Sequence, residues 1–194
     1  MKTPIKTLVV VVVIIGTTAL GARAQDKAKV SVEIDPATFV FNGYGVHLRL
    51  QPKNSAHLLV GIGAYAMDFP DLLVDLNENN KDQGWQVRLN QGIGFFAEHH
   101  FNQVNKGWFV GGQAGVQTYK IEQDFIEGDA KYTNLLIMGH GGYSFKPFNN
   151  GLYIKPWAGI GYTRKISGEN SLGGKEYDIA PVTMFATLHI GYTF

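Results

Sequence analysis

Glu98 and His100 stand two residues apart, and so do Thr187 and His189. In an extended strand that spacing puts both side chains on one face, where a carboxylate can orient an imidazole for general-base work or an imidazole can reach a hydroxyl. Glu33, His47, Arg49 and Lys155 occupy the same face of their own segments. Two carboxylates among an arginine, a lysine and histidines also satisfy the simpler requirement that buried charges be paired and hydrogen-bonded, and this structural reading is the one preferred here. His140 and Ser144, four residues apart, would lie about 13 Å from each other along a strand, too far for a base and its nucleophile. Thr187 and His189 have the spacing but lack the usual serine or cysteine, so no catalytic residue is assigned. His47, His57, His100 and His189 come from four separate segments without local ligand spacing, and no metal or cofactor is expected to bind them.

These residues need strands to place them. The last fifteen, 180–194, set the pattern: Val182, Met184, Ala186, Leu188, Ile190, Tyr192 and Phe194 form an apolar row of period two. Seven more segments repeat it. The first is short, with Val30, Val32 and Ile34 on one side, and ends at Asp35-Pro36. The second is expected over about 38–51, with Tyr44, Val46, Leu48 and Leu50 outward. The third runs over 57–67. The fourth carries Trp85, Val87, Leu89, Gln91, Ile93, Phe95, Ala97, His99 and Phe101 on its outer side. The fifth and sixth cover 108–121 and roughly 131–145, and the seventh, after a tight turn at 146–150, places Leu152, Ile154, Pro156, Ala158, Ile160 and Tyr162 outward. Pro156 removes a ladder hydrogen bond, and a bulge is expected there.

Short turns at 52–55, 102–106 and 146–150 alternate with longer, acidic loops at 68–84, 122–130 and 167–175. Eight strands with that alternation bring both chain ends to the short-turn side. A water-soluble sandwich would carry polar residues on its outer face. Here the outer rows are nearly free of charge and tipped with aromatics, Phe101, Trp108, Tyr143, Phe145, Tyr192 and Phe194 at one end and Tyr44, Trp85 and Tyr162 at the other, as membrane interfaces favour.

The 194 residues include 24 Gly and no Cys, which fits one domain of many short strands and excludes a disulfide framework. Lys2 and Lys6, an apolar run over 8–15 and the small-residue site Ala22-x-Ala24 form the pattern of a cleaved signal peptide over 1–24, leaving a domain over 25–194. Removing Lys2, Lys6 and Arg23 from the 17 basic residues leaves 14 against 16 acidic ones, a balance that gives nucleic acid no purchase.

The export signal, the strand alternation over about 28–194 and the ending LHIGYTF resemble the small eight-stranded outer-membrane barrels of Gram-negative bacteria, the class of the OmpA transmembrane domain, OmpX and OmpW. The resemblance implies an all-β, eight-stranded antiparallel transmembrane β-barrel with short periplasmic turns and longer extracellular loops. It further implies outer-membrane lipid and lipopolysaccharide as surroundings, the barrel-assembly machinery as a partner that reads the strand ending in Phe194, and a monomer. Lipid A deacylases, in the same class, pair a His and a Ser two residues apart, a spacing absent here.

A barrel of eight strands has room for its own side chains or one small ligand. Its lower lumen is expected to be a polar plug of Glu33, His47, Arg49, Glu98, His100, Lys155 and His189. Phe41, Tyr65, Met67, Arg88, Asn90, Tyr119, Leu136, Met138 and Phe185 are expected to line an upper pocket for a small apolar or amphiphilic molecule. A fully plugged barrel with a structural or surface-interaction role, and a barrel that processes lipid acyl chains, stay open as alternatives. In the first long loop, the run over 69–76 is apolar enough for a short helix that covers the mouth or touches lipid. Asp75-x-Asn77-x-Asn79 resembles the start of an EF-hand loop, but Asn80 stands where glycine is expected and Gln86 where a bidentate glutamate should be.

Overall fold

The computed structural model describes residues 27–194, so the signal peptide expected over 1–24 lies outside the described residues. Eight antiparallel strands close into a barrel: β1 Lys29–Ile34, β2 Tyr44–Gln51, β3 Leu58–Asp68, β4 Trp85–His100, β5 Gly107–Gln123, β6 Ile126–Ser144, β7 Leu152–Gly168 and, after a two-stranded hairpin of β8 Ser171–Leu172 and β9 Lys175–Glu176, β10 Val182–Thr193. Each pairs with its neighbour in sequence, and β10 returns to β1.

The register fixes the shape. From Tyr192 the pairing passes through Val32, Leu48, Ile62, Phe95, Ala114, Ile137 and Tyr162 and arrives back on β10 at Val182, ten residues from where it began. A stagger of ten over eight strands corresponds to a strand tilt of about 41° and a barrel radius of about 8 Å. Inward side chains fill such a ring. All the residues on this path belong to the apolar outer rows, whose large members such as Phe95, Ile137 and Met184 are exposed.

Four features differ from the sequence expectation. Residues 36–40 form a helix, α1 Pro36–Val40, and β2 begins only at Tyr44. The cause is local: the Asp35 carboxylate accepts a hydrogen bond from the Ala37 amide (3.0 Å), and Pro36 supplies the first helical turn. On β4 one extra residue between Leu89 and Gln91 shifts the register against β3 and β5. Beyond it the faces exchange, so Trp85, Val87 and Leu89 are buried inside instead of facing out. The loop expected over 122–130 is instead a continuation of β5 and β6, closed at Asp124 and Phe125, and the one expected over 167–175 contains the β8–β9 hairpin. Pro156 produces no bulge. Its pairing with Leu188 is in register, while toward β6 the ladder ends at Gly142↔Trp157 and resumes as a single bridge at Phe145↔Ile154.

Candidate functional site

The lumen is layered. At the end that carries Lys29 and Thr193, the turn over 102–106 folds beneath the ring, burying Val104 and Asn105; Asn105 donates to Thr193 Oγ1 (3.2 Å).

Above it sits the plug. Glu33 from β1 and Glu98 from β4 face Arg49 from β2 and Lys155 from β7, all at most 2% exposed. Lys155 Nζ donates to Glu33 Oε1 (2.6 Å) and to both oxygens of Glu98 (3.1 Å). Arg49 Nε donates to Glu33 Oε2 (3.0 Å), and its Nη2 lies 3.6 Å from Glu98 Oε1. The adjacent strands β1 and β2 are thereby joined across the lumen to β4 and β7 through two carboxylates and two cations. His100 and His140 approach Glu98 (3.3 and 3.6 Å), and Tyr153 donates to Glu33 (2.9 Å). Trp157 Nε1 donates to His189 Nε2 (3.1 Å), so the proton of that ring sits on Nδ1, which donates to Glu33 Oε2 (3.0 Å). Each residue expected in the plug is in it or, for His47 and His189, at its upper surface. Tyr153 and His140 also belong to it; both have inward parity, which could have found them.

The upper cavity, of about 100 Å³, rests on His47, His189 and Phe96, with the Arg49 guanidinium stacked 4.3 Å from the Phe96 ring centre. Tyr65, Met67, Tyr119, Leu136, Met138 and Phe185 line it as expected, joined by Trp157, Leu89, Gln117 and, from α1, Thr38. Three expected residues do not. Phe41 ends α1 and packs half-buried against the cluster above. Asn90 occupies the β4 bulge, and Arg88, turned outward by it, pairs with Asp68 and donates to Asn42 O (3.2 Å).

A roof of buried side chains closes the far end, with Val74 and Val87 packed beside Trp85, Tyr119, Tyr132 and Tyr177. Tyr119 stacks on Tyr132 (5.1 Å), and Trp85 meets Tyr177 edge-on (5.7 Å). The apolar run in the long loop does form a short helix, α2 Asp71–Val74, which drops Val74 into this roof while Leu72 and Leu76 remain exposed. The loop is latched to Asp178. Asn80 exchanges two hydrogen bonds with its backbone (2.8 and 2.9 Å), and Asn77 and Asn79 donate to its carboxylate (3.0 and 2.8 Å). The EF-hand-like asparagines are thus spent on a latch, and among the described residues no three His, Asp or Glu side chains gather as a metal site.

Among the described residues, neither of the two candidate hydroxyls, Thr187 and Ser144, is bonded to a histidine. Thr187 Oγ1 donates to Asp35 Oδ1 (2.8 Å) instead of His189, and Ser144 is fully buried, four residues along β6 from His140, which turns toward Glu98. His57, half-buried, contacts His100 O through Nδ1 (2.7 Å).

No family model matches the chain, and no curated protein sequence matches it. Among solved structures it is similar to the N-terminal β-barrel domain of OprF from Pseudomonas aeruginosa, with 12% identity, a TM-score of 0.45, and 89% of this chain and 100% of that one covered. It is similar also to a major outer membrane protein from Thermus thermophilus, with 13% identity, a TM-score of 0.44, and coverages of 87% and 100%. The chain's own closed ring of eight antiparallel strands is the architecture of the small outer-membrane barrels.

Lys155→Met leaves two carboxylates facing one arginine and should cost about 3–5 kcal/mol in urea unfolding of the detergent-folded barrel, with much of the loss recovered when Glu98→Gln is added. At the latch, the Asn79 and Asn77 amides hold the Asp178 carboxyl below its usual range. A lowered carboxyl stabilises the fold above the ordinary Asp pKa and loses that contribution as pH falls through its own value. Hydrogen-exchange protection of 77–80, corrected for intrinsic rates, should therefore be flat from neutral pH to the ordinary Asp range and fall below it, and Asp178→Asn should remove that dependence.

Proposed function

We propose that the protein is an integral outer-membrane β-barrel, non-enzymatic, that holds or passes one small apolar or amphiphilic molecule in its upper lumen. The observation that carries this reading is the division of the lumen. A sealed layer of paired charges lies below, and a cavity walled by Met138, Leu136, Phe185, Trp157 and Tyr65 lies above it. A route for hydrophilic solutes would need a continuous wet bore, which eight strands packed in this way do not leave. An aromatic and thioether lining with a few polar groups, Gln117, Thr38 and His47, suits a molecule that is mostly hydrocarbon. The cavity is small against the usual range for drug-sized ligands, so the occupant is slender or enters only in part.

The exterior supports the membrane setting. Its apolar rows run between Tyr192, Phe194, Trp108 and Tyr143 at the turn end and Tyr44 and Tyr162 toward the loop end, and Trp85, expected in the second belt, belongs to the roof. Outer-membrane lipid then surrounds the ring, and lipopolysaccharide faces the acidic loops. The ring closes within one chain, which suits a monomer, and β10 with its apolar outer row is the strand the barrel-assembly machinery would read.

Two measurements test the proposal. Mass spectrometry of the detergent-purified barrel should find a retained apolar molecule, and filling the cavity with Met138→Trp should lower its recovery about tenfold, the effect of ~1.4 kcal/mol of lost binding; recovery independent of the substitution would refute the pocket. Ile137→Arg, in the middle of the outer row, should destabilise the vesicle-inserted barrel by about 2–4 kcal/mol. The same change at Phe125, on the hairpin tip, should stay within about 0.5 kcal/mol.

A further inference from the structure

We propose that α1 closes a lateral port in the barrel wall through which a single acyl chain passes from the outer half of the bilayer into the upper cavity; this rests on reading that cavity as a ligand site. The port is visible in the strand pairing. β1 pairs with β10 only from Ser31↔Thr193 to Ile34↔Ile190, whereas β10 extends back to Val182. On its other side β10 pairs with β7 all the way from Tyr192 to Val182. Residues 182–189, about 26 Å of strand, therefore run without a strand beside them on the β1 side. An open strand edge facing hydrocarbon is among the costliest features a membrane protein can have.

What packs against this edge is the five-residue α1, about 7.5 Å of helix. Thr38 points into the cavity, while Phe39 and Val40, 51% and 79% exposed, point outward as lipid-facing side chains would. Tyr44 of the outer aromatic belt begins β2 shortly after α1, which puts the helix in the outer half of the apolar band. Among the described residues no backbone hydrogen bond joins α1 to β10. The tie is the Thr187 hydroxyl on Asp35 Oδ1 (2.8 Å), the same oxygen that caps the helix through the Ala37 amide (3.0 Å). One carboxylate oxygen thus holds both the helix and its attachment to the wall. A helix this short does not hold itself together and depends on such contacts.

The contrast with the mouth gives the direction of entry. Toward solvent the cavity lies under stacked aromatics and a loop latched by several hydrogen bonds to Asp178. Toward lipid it lies behind one turn of helix, one side-chain hydrogen bond and the looser approach of His189 Nε2 to Asp35 Oδ2 (3.9 Å). Phe185 on β10 and Tyr65 on β3 present aromatic faces to the cavity, and its volume of about 100 Å³, under the ~150 Å³ that holds a benzene, admits the end of a chain but no headgroup.

The test uses Trp157, which lines the cavity, as reporter in a barrel carrying Trp85→Phe and Trp108→Phe, inserted in phospholipid vesicles, with a dibrominated fatty acid as quencher. Asp35→Cys with Thr187→Cys places a disulfide across the port in a chain that has no other cysteine. The expected result is quenching in the reduced form and its loss on oxidation. Quenching that ignores the disulfide would overturn the port and leave the cavity standing as a site filled from the mouth. No quenching in either state, with none restored by Phe185→Ala, would overturn the cavity and the port together. If the cysteine pair does not fold, Thr187→Val decides: it should speed quenching about fivefold, the population change that loss of a cap-strength contact produces, and an unchanged rate refutes the port.

Discussion

Two carboxylates and two cations, bound to one another across the lumen, are the constraint around which the barrel is built. Glu33, Arg49, Glu98 and Lys155 come from β1, β2, β4 and β7; Arg49 and Glu33 sit on paired strands, but the bond of Lys155 on β7 to Glu98 on β4 crosses the lumen and completes the network only once the ring has closed. Before closure each is a charge on a strand entering hydrocarbon, which is costly. Afterward each is paired and hydrogen-bonded. The network therefore rewards complete closure over any partly open sheet. It acts most directly where the ring is thinnest, because Glu33, next to the end of β1, takes bonds from β2, β7 and β10 alike. A strand of six residues that pairs with β10 at only four positions is held in the wall as much by this carboxylate as by its ladder.

The same network divides the interior into regions with different tasks. Arg49 lies against the underside of Phe96 while Phe96 faces the cavity, so a single ring is the boundary between ionic and apolar lumen. His189 crosses that boundary, with Nδ1 on Glu33 and Nε2 accepting from Trp157. A ligand against Trp157 would therefore be one hydrogen bond from the plug without touching a charge.

How much of this could be read in advance depended on parity. Wherever a strand is regular, alternation alone assigned the faces, and Glu33, Arg49, Glu98, Lys155 and His189 fell where expected. Tyr153, His140 and Trp157 have the same inward parity, which places them in the lumen as well, though neither charge nor spacing singles them out as partners of the plug. The β4 bulge could not be found this way: an extra residue at Asn90 leaves no compositional mark, yet it moved Arg88 out of the lumen and Trp85 into it. The helix α1 was legible, since Asp35-Pro36 is a strong start signal; the alternation beginning at Tyr44 was extended too far back across it. Loop positions were recovered, but loop lengths were not, because the strands continue past the apolar band and their polar ends look like loops.

That continuation explains where the irregularities lie. Every register shift in the ring falls at the outer ends of the strands, beside Tyr65 and Met67, Leu89 and Gln91, Ile121 and Gln123, and Thr133 and Asn134. Inside a bilayer the wall must be apolar outside and can be polar within, while above it water requires the reverse. A strand that runs from one medium into the other can meet both demands by exchanging its faces once, and a one-residue bulge does this without altering the alternation of the sequence. On β4 the odd-numbered row shows Ile93, Phe95 and Ala97 to the outside and then, past Asn90, carries Leu89, Val87 and Trp85 into the roof. The roof is therefore the apolar outer row continued inward, and on the proposed membrane setting the level of the bulge is where the hydrocarbon ends.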